Sequence, residues 1–436
     1  MQKEAVTHGR GSAPTFAEAL RVWAMIGILS FGGPAGQIAL MHRVLVDERK
    51  WIDEQRYLSA LNFCMLLPGP EATQLATYVG WRLHGLKGGL AAGLLFVLPG
   101  ACVVLALSML YAAFGKLPAA EALFVGVKAA VLAIVIEALL RIAKRSLKGS
   151  VDWLTAAAAF IAIFFLSVPF PVIVLAAALL GFWRGMGAAA PALSAVSIAV
   201  PMATTLRTAA IWLAIWFAPL AAVALTFGPQ HVLSQIAWFF SVLAVVTIGG
   251  AYAVLAYMAQ AVVEGYGWLD AGEMLDGLGL AETTPGPLIL VTEFVGYLAA
   301  YRFGGWEPHW MGVLGAAVTL WATFAPCFLW IFVGAPYVEW LNAQPRLKSA
   351  LAAVTAAVVG VILNLTVWFG LHVLFGTVAE RFIGPLRVLV PDLASISGLT
   401  LALSAVAVVL LFLLHRGIIS TLAICGALAL GWHAIG

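Results

Sequence analysis

Two short runs hold the residue types best placed to do chemistry: Leu67-Pro68-Gly69-Pro70-Glu71-Ala72-Thr73-Gln74 and Thr283-Thr284-Pro285-Gly286-Pro287. Each proline lacks an N–H and pushes the preceding residue out of the α region, so no continuous helix can pass through either run. Pro70 suits the first position of a new helix, whose first backbone N–H groups have no internal partner. Such a helix start carries roughly half a positive elementary charge and attracts anions. The segment Ser30-Phe31-Gly32-Gly33-Pro34-Ala35-Gly36-Gln37 follows the same logic, and Thr247-Ile248-Gly249-Gly250-Ala251 keeps its glycines but not its proline. Converging half-helix ends would suit a small anion, with Gln37, Thr73, Gln74, Thr247 and Thr284 adding neutral hydrogen bonds.

Ionisable groups at membrane depth are functional candidates by default. Glu71 sits in the first turn after its break, where burial and the helix dipole pull its protonation in opposite directions. Glu293 lies deeper in the second half, with Glu282 just before its Pro-Gly-Pro. Lys128 could attract an anion from within its helix, or snorkel to the membrane surface. Glu137 and Arg141, four apart, read as a local ion pair. Arg82 and His84 border the end of the first Pro-Gly-Pro region, where a topological anchor is the simpler role for Arg82. His42 completes the groups able to carry charge or a proton.

These residues must be held by membrane-embedded elements. The chain has 436 residues, 63% apolar and 10% charged, with a mean hydropathy of +1.03. A soluble domain has about 25% charged residues, so the composition excludes cytosolic enzymes and nucleic-acid binders. The four cysteines show no CxxC pair and the eight histidines no metal-ligand spacing; no metal or cofactor is expected. Full apolar spans are expected at 86–114, 121–143, 151–167, 171–186, 208–227, 310–335, 349–374, 397–414 and 417–434. Regions 16–41, 57–80, 231–258 and 274–301 are apolar but interrupted by the breaks described above.

The breaks expose a duplication. Adding 217 to a residue number carries Gly32-Gly33 to Gly249-Gly250, Met41 to Met258, Trp51-Ile52-Asp53 to Trp268-Leu269-Asp270, and Pro68-Gly69-Pro70 to Pro285-Gly286-Pro287. After one deletion, Val79-Gly80 maps to Val295-Gly296. The organisation read from this is a cytoplasmic tail 1–15 with no cleaved signal, a repeat 16–186, a linker with one span 187–230, and a second repeat 231–436. If the interrupted regions are re-entrant hairpins rather than kinked spans, 18 of the 23 basic residues fall inside, leaving Lys116, Lys128, Arg302, Arg381 and Arg387 outside. Residues 43–56 are then cytoplasmic and 259–273 outside. One linking span inverts the second half, giving an all-α polytopic inverted repeat with broken helices, a transporter architecture.

The run from Phe16 to Pro99 resembles the chromate ion transporter family, in its long two-domain form. The resemblance is carried by Phe31-Gly-Gly-Pro34, Gln37-Ile38-Ala39, Met41-His42, Arg49, Trp51, Leu67-Pro-Gly-Pro-Glu71, Gln74, Tyr78-Val-Gly80 and Phe96-Val-Leu-Pro99, and in the second half by Gly249-Gly250 and Pro285-Gly-Pro287. It implies a chromate exporter conferring resistance, built by duplication with oppositely oriented halves. It also implies proton coupling and sulfate as a competitor. The expected location is a bacterial inner membrane with the N-terminus cytoplasmic, and a homodimer is left open. The residues alone reach only a small-anion transporter, with a sulfate carrier or a passive anion channel as rivals. An intramembrane enzyme would need a nucleophile or metal constellation, and no HExxH, GxSxG or Walker pattern is present.

Overall fold

The structure is a computed structural model that describes residues 14–187, 200–246, 248, 251–342 and 344–435. Thr247, Gly249 and Gly250, expected to shape the second Gly-Gly break, lie outside the described residues, as do most of the 1–15 tail and the 187–207 joint.

The first half runs α1 (Phe16–Leu29), α2 (Gly33–His42), α3 (Glu54–Leu66), α4 (Glu71–Phe114), α5 (Pro118–Ser146), α6 (Ser150–Phe164) and α7 (Phe170–Arg184). The linking helix is α8 (Met202–Phe227). The second half runs α9 (Val232–Val246), α10 (Ala251–Gln260), α11 (Ala271–Thr283), α12 (Val291–Phe303), α13 (Pro308–Gly334), α14 (Val338–Asn342) and α15 (Pro345–Leu374). It continues through strands β1 (Val378–Ile383) and β2 (Leu386–Pro391) to α16 (Gly398–Val408) and α17 (Ile418–Ile435). Six helices are long and apolar enough to cross a membrane, led by α4, α5, α13 and α15.

Each interrupted region is a pair of short helical segments; in 57–80 the second is the first part of α4, which is broken at His84 (φ −136, ψ 25) and Gly85 (φ 61, ψ −150) before it continues as a long helix. Helix α1 has 14 residues, so at 1.5 Å per residue it rises about 21 Å and ends past the middle of a ~30 Å hydrocarbon core. Helices α3, α9 and α11 are similar in length. The register of the repeat reappears as backbone geometry. A π-turn follows α2, with Arg49 N–H donating to Val44 O at 3.0 Å and Trp51 N–H to Leu45 O at 2.8 Å; 217 residues on, Tyr266 donates to Ala261 at 2.8 Å and Trp268 to Val262 at 3.0 Å. Asp53 then caps α3 and Asp270 caps α11, each carboxylate accepting a backbone N–H of the first turn.

The long helices fix where the loops lie. Arg145, at the end of α5, touches Met65 of α3, whereas Lys128, nearer its start, pairs with Asp276 of α11. Gln55, at the start of α3, shares a cavity wall with Lys148 just past the end of α5, so the first half's 43–56 loop and the second half's 261–270 loop sit toward opposite ends of α5. Helix α8 makes the crossing between them: Thr205 bonds Tyr337 near one end, and His231, just past the other, contacts Gly304 O. Helices α6 and α7 have 15 residues each, about 22 Å, shorter than the expected spans, and both pack along α15.

The β-hairpin is an addition to the all-α expectation. Its two-residue turn places Gly384 at φ 60, which glycine tolerates, and Pro385 second, where its fixed φ fits. Arg387 anchors it, donating its N–H to Phe165 O in the α6–α7 turn at 2.7 Å and its guanidinium to Glu264 at 2.5 Å and Glu380 at 2.6 Å.

Candidate functional site

Covalent constraints make the breaks. Leu67, before Pro68, is extended at φ −91 and ψ 147, which ends α3. Gly69 takes φ 113, a region open to glycine and strained for other residues. Pro70 is the N-cap of α4 rather than its first helical residue, so Glu71 holds that first position. In the second half Thr284 is extended, Gly286 takes φ 92, and Pro287 opens a 3-10 turn, Leu288–Leu290, before α12 begins. Gly32 and Gly33 take φ 84 and 67, and Pro34 lies in the first turn of α2.

The breaks brace one another across the halves. Gly286 N–H donates to Ser30 O at 2.8 Å, and Gln37 Nε2 donates to Gly286 O at 2.6 Å. The second break also lies against Gly100 of α4, where a Cβ would overlap the Pro285 carbonyl oxygen. The first break lies against Cys327 of α13, whose Sγ is 3.4 Å from where a Gly69 Cβ would stand. Pro99-Gly100 and Pro326-Cys327 are themselves equivalent, 227 residues apart. Each Pro-Gly-Pro is thus seated on the proline-bearing long helix of the other half. Gln74 closes its own break, donating to Pro68 O at 2.6 Å. Gln37 Nε2 reaches Gly286 O and Ser30 O, and Gln74 Nε2 reaches Pro68 O, so both side chains act as braces, with one N–H of Gln74 left over.

A cavity of about 660 Å³ runs from the 43–56 face to Gly32, Gly33, Pro34 and Glu71. The starts of α2 and α4 both meet it in mid-bundle. One wall is a stripe of α5 at helical spacing, Ile134, Glu137, Ala138, Arg141, Ile142 and Arg145; Tyr252 of the second half stands opposite. Arg141 pairs with Glu137, and Arg43 with Glu48 at 3.5 Å. Arg145 forms no salt bridge among the described residues; its side chain contacts Met65 Sδ at 3.9 Å, and its charge acts across the cavity on Glu71. The remaining residues named from sequence (Pro68, Gly69, Pro70, Thr73, Gln74, Thr284, Pro285, Gly286 and Pro287) lie behind this cavity rather than on its wall.

The comparisons decide the family. The chromate transporter family model matches residues 17–182 and 234–432. The chain belongs to the chromate transporter family. Among curated relatives, the chromate transport protein of Pseudomonas aeruginosa is 33% identical over 77% of this chain and 76% of its own length. That of Cupriavidus metallidurans is 30% identical over 80% and 82%. The probable chromate transport protein of Synechococcus elongatus is 30% identical over 79% and 82%. No solved structure matches. Membership makes the chain a multi-pass membrane transporter and not an enzyme.

Further family-motif residues hold the rim of the cavity. His42 lines the mouth, with Nε2 2.5 Å from Glu54 and Nδ1 3.4 Å from Asp47, and Arg49 reaches Glu18 at 3.2 Å. Lys128, proposed from sequence as an anion attractor, is instead held 3.3 Å from Asp276, which also accepts from Tyr111 at 2.8 Å. Beside them Arg302 grips Glu273 at 2.5 and 2.8 Å. Arg82 is exposed, and Glu293 is buried with Oε2 unpartnered, off the cavity. Glu282 accepts from Tyr252 at 2.9 Å, which links it to the cavity wall. Sequence reasoning missed Arg145 and Tyr252. The signal for Arg145 was present, since Glu137, Arg141 and Arg145 recur every four residues on one apolar helix.

Proposed function

We propose that the chain carries chromate out of the cell across a bacterial inner membrane, taking it up at the 43–56 face, which is cytoplasmic. The observation that carries this reading is the cavity that leads from that face, past the unpaired Arg145, to the starts of α2 and α4. Irregular backbone at membrane depth is tolerated where it lines a water-filled cavity, and helix starts with nearby guanidinium groups complement a tetrahedral dianion. The halves, 16–186 and 231–436 joined through 187–230, are oppositely oriented repeats. Sulfate, with the same shape and charge, competes, and protons modulate binding through Glu71. Export of a dianion at 100 mV inside-negative gains ~4.6 kcal/mol, twice the ~2.3 per charge, so voltage supplies much of the force.

Chromate flux into and out of proteoliposomes, under imposed pH and voltage gradients, tests the activity. Uphill movement is expected; dissipation of a chromate gradient without uphill movement under any imposed gradient would identify a passive channel. Orientation is tested separately by cysteine substitution at Arg49 and Asp270, in a background lacking reactive native thiols. An impermeant thiol reagent applied to intact cells should label position 270 and spare position 49.

A further inference from the structure

A second cavity, of about 670 Å³, opens on the same 43–56 face between α3, the end of α5 and the start of α15. Its wall carries Arg145, Lys148 and Lys348, and one face of α3 presents Gln55, Ser59 and Asn62 to it at i, i+4 and i+7. None of the three cations forms a salt bridge among the described residues: the ion pairs there involve other side chains, and Arg145 acts only at longer range on Glu71. The one acid on the wall, Asp152, is already engaged, accepting the backbone N–H groups of Lys148 at 3.2 Å and Gly149 at 3.0 Å. The neutral amides of Gln55 and Asn62 facing three cations that form no salt bridge match a tetrahedral oxyanion. Positive charge on a cytoplasmic face is ordinary topology, but a polar stripe on a membrane half-helix facing those charges is not needed for orientation.

This cavity adjoins the one that reaches Glu71. The two share Leu58, Met65, Arg145, Ser146 and Thr355, and Arg145 touches Met65 at 3.9 Å. We propose that Lys148, Lys348 and the amides of Gln55 and Asn62 form an antechamber that binds the substrate oxyanion before Arg145 hands it to the inner cavity. The substrate's identity rests on the carrier reading; the pocket does not. Lys148 and Lys348 capture, and Arg145, common to both cavities, is the transfer point.

The test uses the full chain in nanodiscs and radiolabelled chromate at equilibrium. Wild type in phosphatidylcholine should bind at two sites per chain. Lys148→Gln with Lys348→Gln should retain one, and the Arg pair at the same positions should restore the second. Unchanged stoichiometry and affinity in the Gln pair would overturn the proposal. Adding phosphatidylglycerol separates the two sources of a phosphate-like ligand: persistence of both sites supports a substrate antechamber, and loss of the second assigns the pocket to a lipid headgroup and overturns the substrate role. In flux, the Gln pair should raise KM at the 43–56 face about tenfold, within the range by which charge-lined clefts speed capture, with kcat within about twofold because the inner cavity is intact. A chain that moves no chromate, yet loses one bound oxyanion in the Gln pair, would refute the carrier reading and leave the pocket standing.

Discussion

The two Pro-Gly-Pro breaks share a backbone device and differ in almost everything attached to it. The first is followed by Glu71, Thr73 and Gln74, and Glu71 borders a cavity. At the matching positions the second has Leu288 in place of Glu71, and Ile289, Leu290 or Val291 for the other two, whichever side of the one-residue deletion is taken. Leu288, Ile289, Leu290 and Val291 are all buried. Gln37, which hydrogen-bonds across to the second break, has Val254 as its own counterpart. Duplication supplied two interlocked scaffolds, and divergence concentrated the polar chemistry in one of them. The apolar break is the anchor of the polar one: the Ser30 carbonyl and the Gln37 amide both close on Gly286.

The largest expected effect tests the interlock. Gly100→Val sets a branched side chain against the Pro285 carbonyl, which cannot retreat while Gly286 is bonded to Ser30. Overpacking of this kind costs about 1–3 kcal/mol, and here the strain falls on backbone. The variant should melt well below wild type in detergent and lose chromate flux. Its repeat equivalent already carries a side chain, so Cys327→Ala should melt within about 1 kcal/mol of wild type, having lost one buried atom rather than gained three. Equal losses at the two positions would mean that the breaks are not seated differently.

What the sequence made legible follows from the range of each constraint. Proline and glycine act on their own and adjacent residues, so the three breaks among the described residues and the 217-residue register could be read directly, and the π-turns and Asp caps repeat in that register. The ends of α6 and α7 were less legible, because hydropathy marks apolar runs and not where a helix stops. The β-hairpin carries a local signal, Gly384-Pro385 between segments holding Val378, Ile383, Val388 and Val390, obscured by its place in a stretch between spans. Cross-half contacts such as Gly100 on Pro285 and Lys128 on Asp276 join residues far apart in the chain, and no local pattern announces them. For the same reason the bracing role of Gln37 and Gln74 is not visible in their residue type, which offers donors; only the fold shows a donor of each turned toward a backbone carbonyl.

A smaller effect separates the two glutamines. Gln37→Leu strands the Gly286 carbonyl in a buried setting, at a cost of about 1–3 kcal/mol. Gln74→Leu frees the Pro68 carbonyl beside residues that are only partly buried, where water can replace the amide. Thermal melts should therefore rank Gln37→Leu below Gln74→Leu, and Gly69→Leu, which forces a side chain onto φ 113 against Gln74 and Cys327, should lose chromate affinity. If Gly69→Leu folds and binds like wild type, the break does not shape the pocket.

The smallest effect on stability, and the sharpest on function, is expected at Glu71, where the two breaks differ by one charge. A deprotonated Glu71 places a negative charge at the helix start and cavity wall that a dianion would occupy. Wild-type affinity for chromate should therefore fall as pH rises through the titration of this carboxylate, because the proton and the anion favour each other's binding. That linkage is opposite in sign to the mutual exclusion a simple proton–anion antiporter requires. On the proposed export reading, it would leave voltage as the main force, with Glu71 a tuner of binding. Glu71→Gln keeps the shape and removes the charge, so it should bind chromate at least as tightly as wild type at every pH and show a flat profile. Glu71→Leu copies the second break; it should also be pH-independent, and any further loss of affinity would report the hydrogen bonds of the side chain rather than its charge. Equilibrium binding across about pH 5 to 8, where a perturbed carboxylate can titrate, decides the matter: a Gln variant with the wild-type pH profile would place the proton elsewhere, with Glu282, joined to the same cavity through Tyr252, the next group to test.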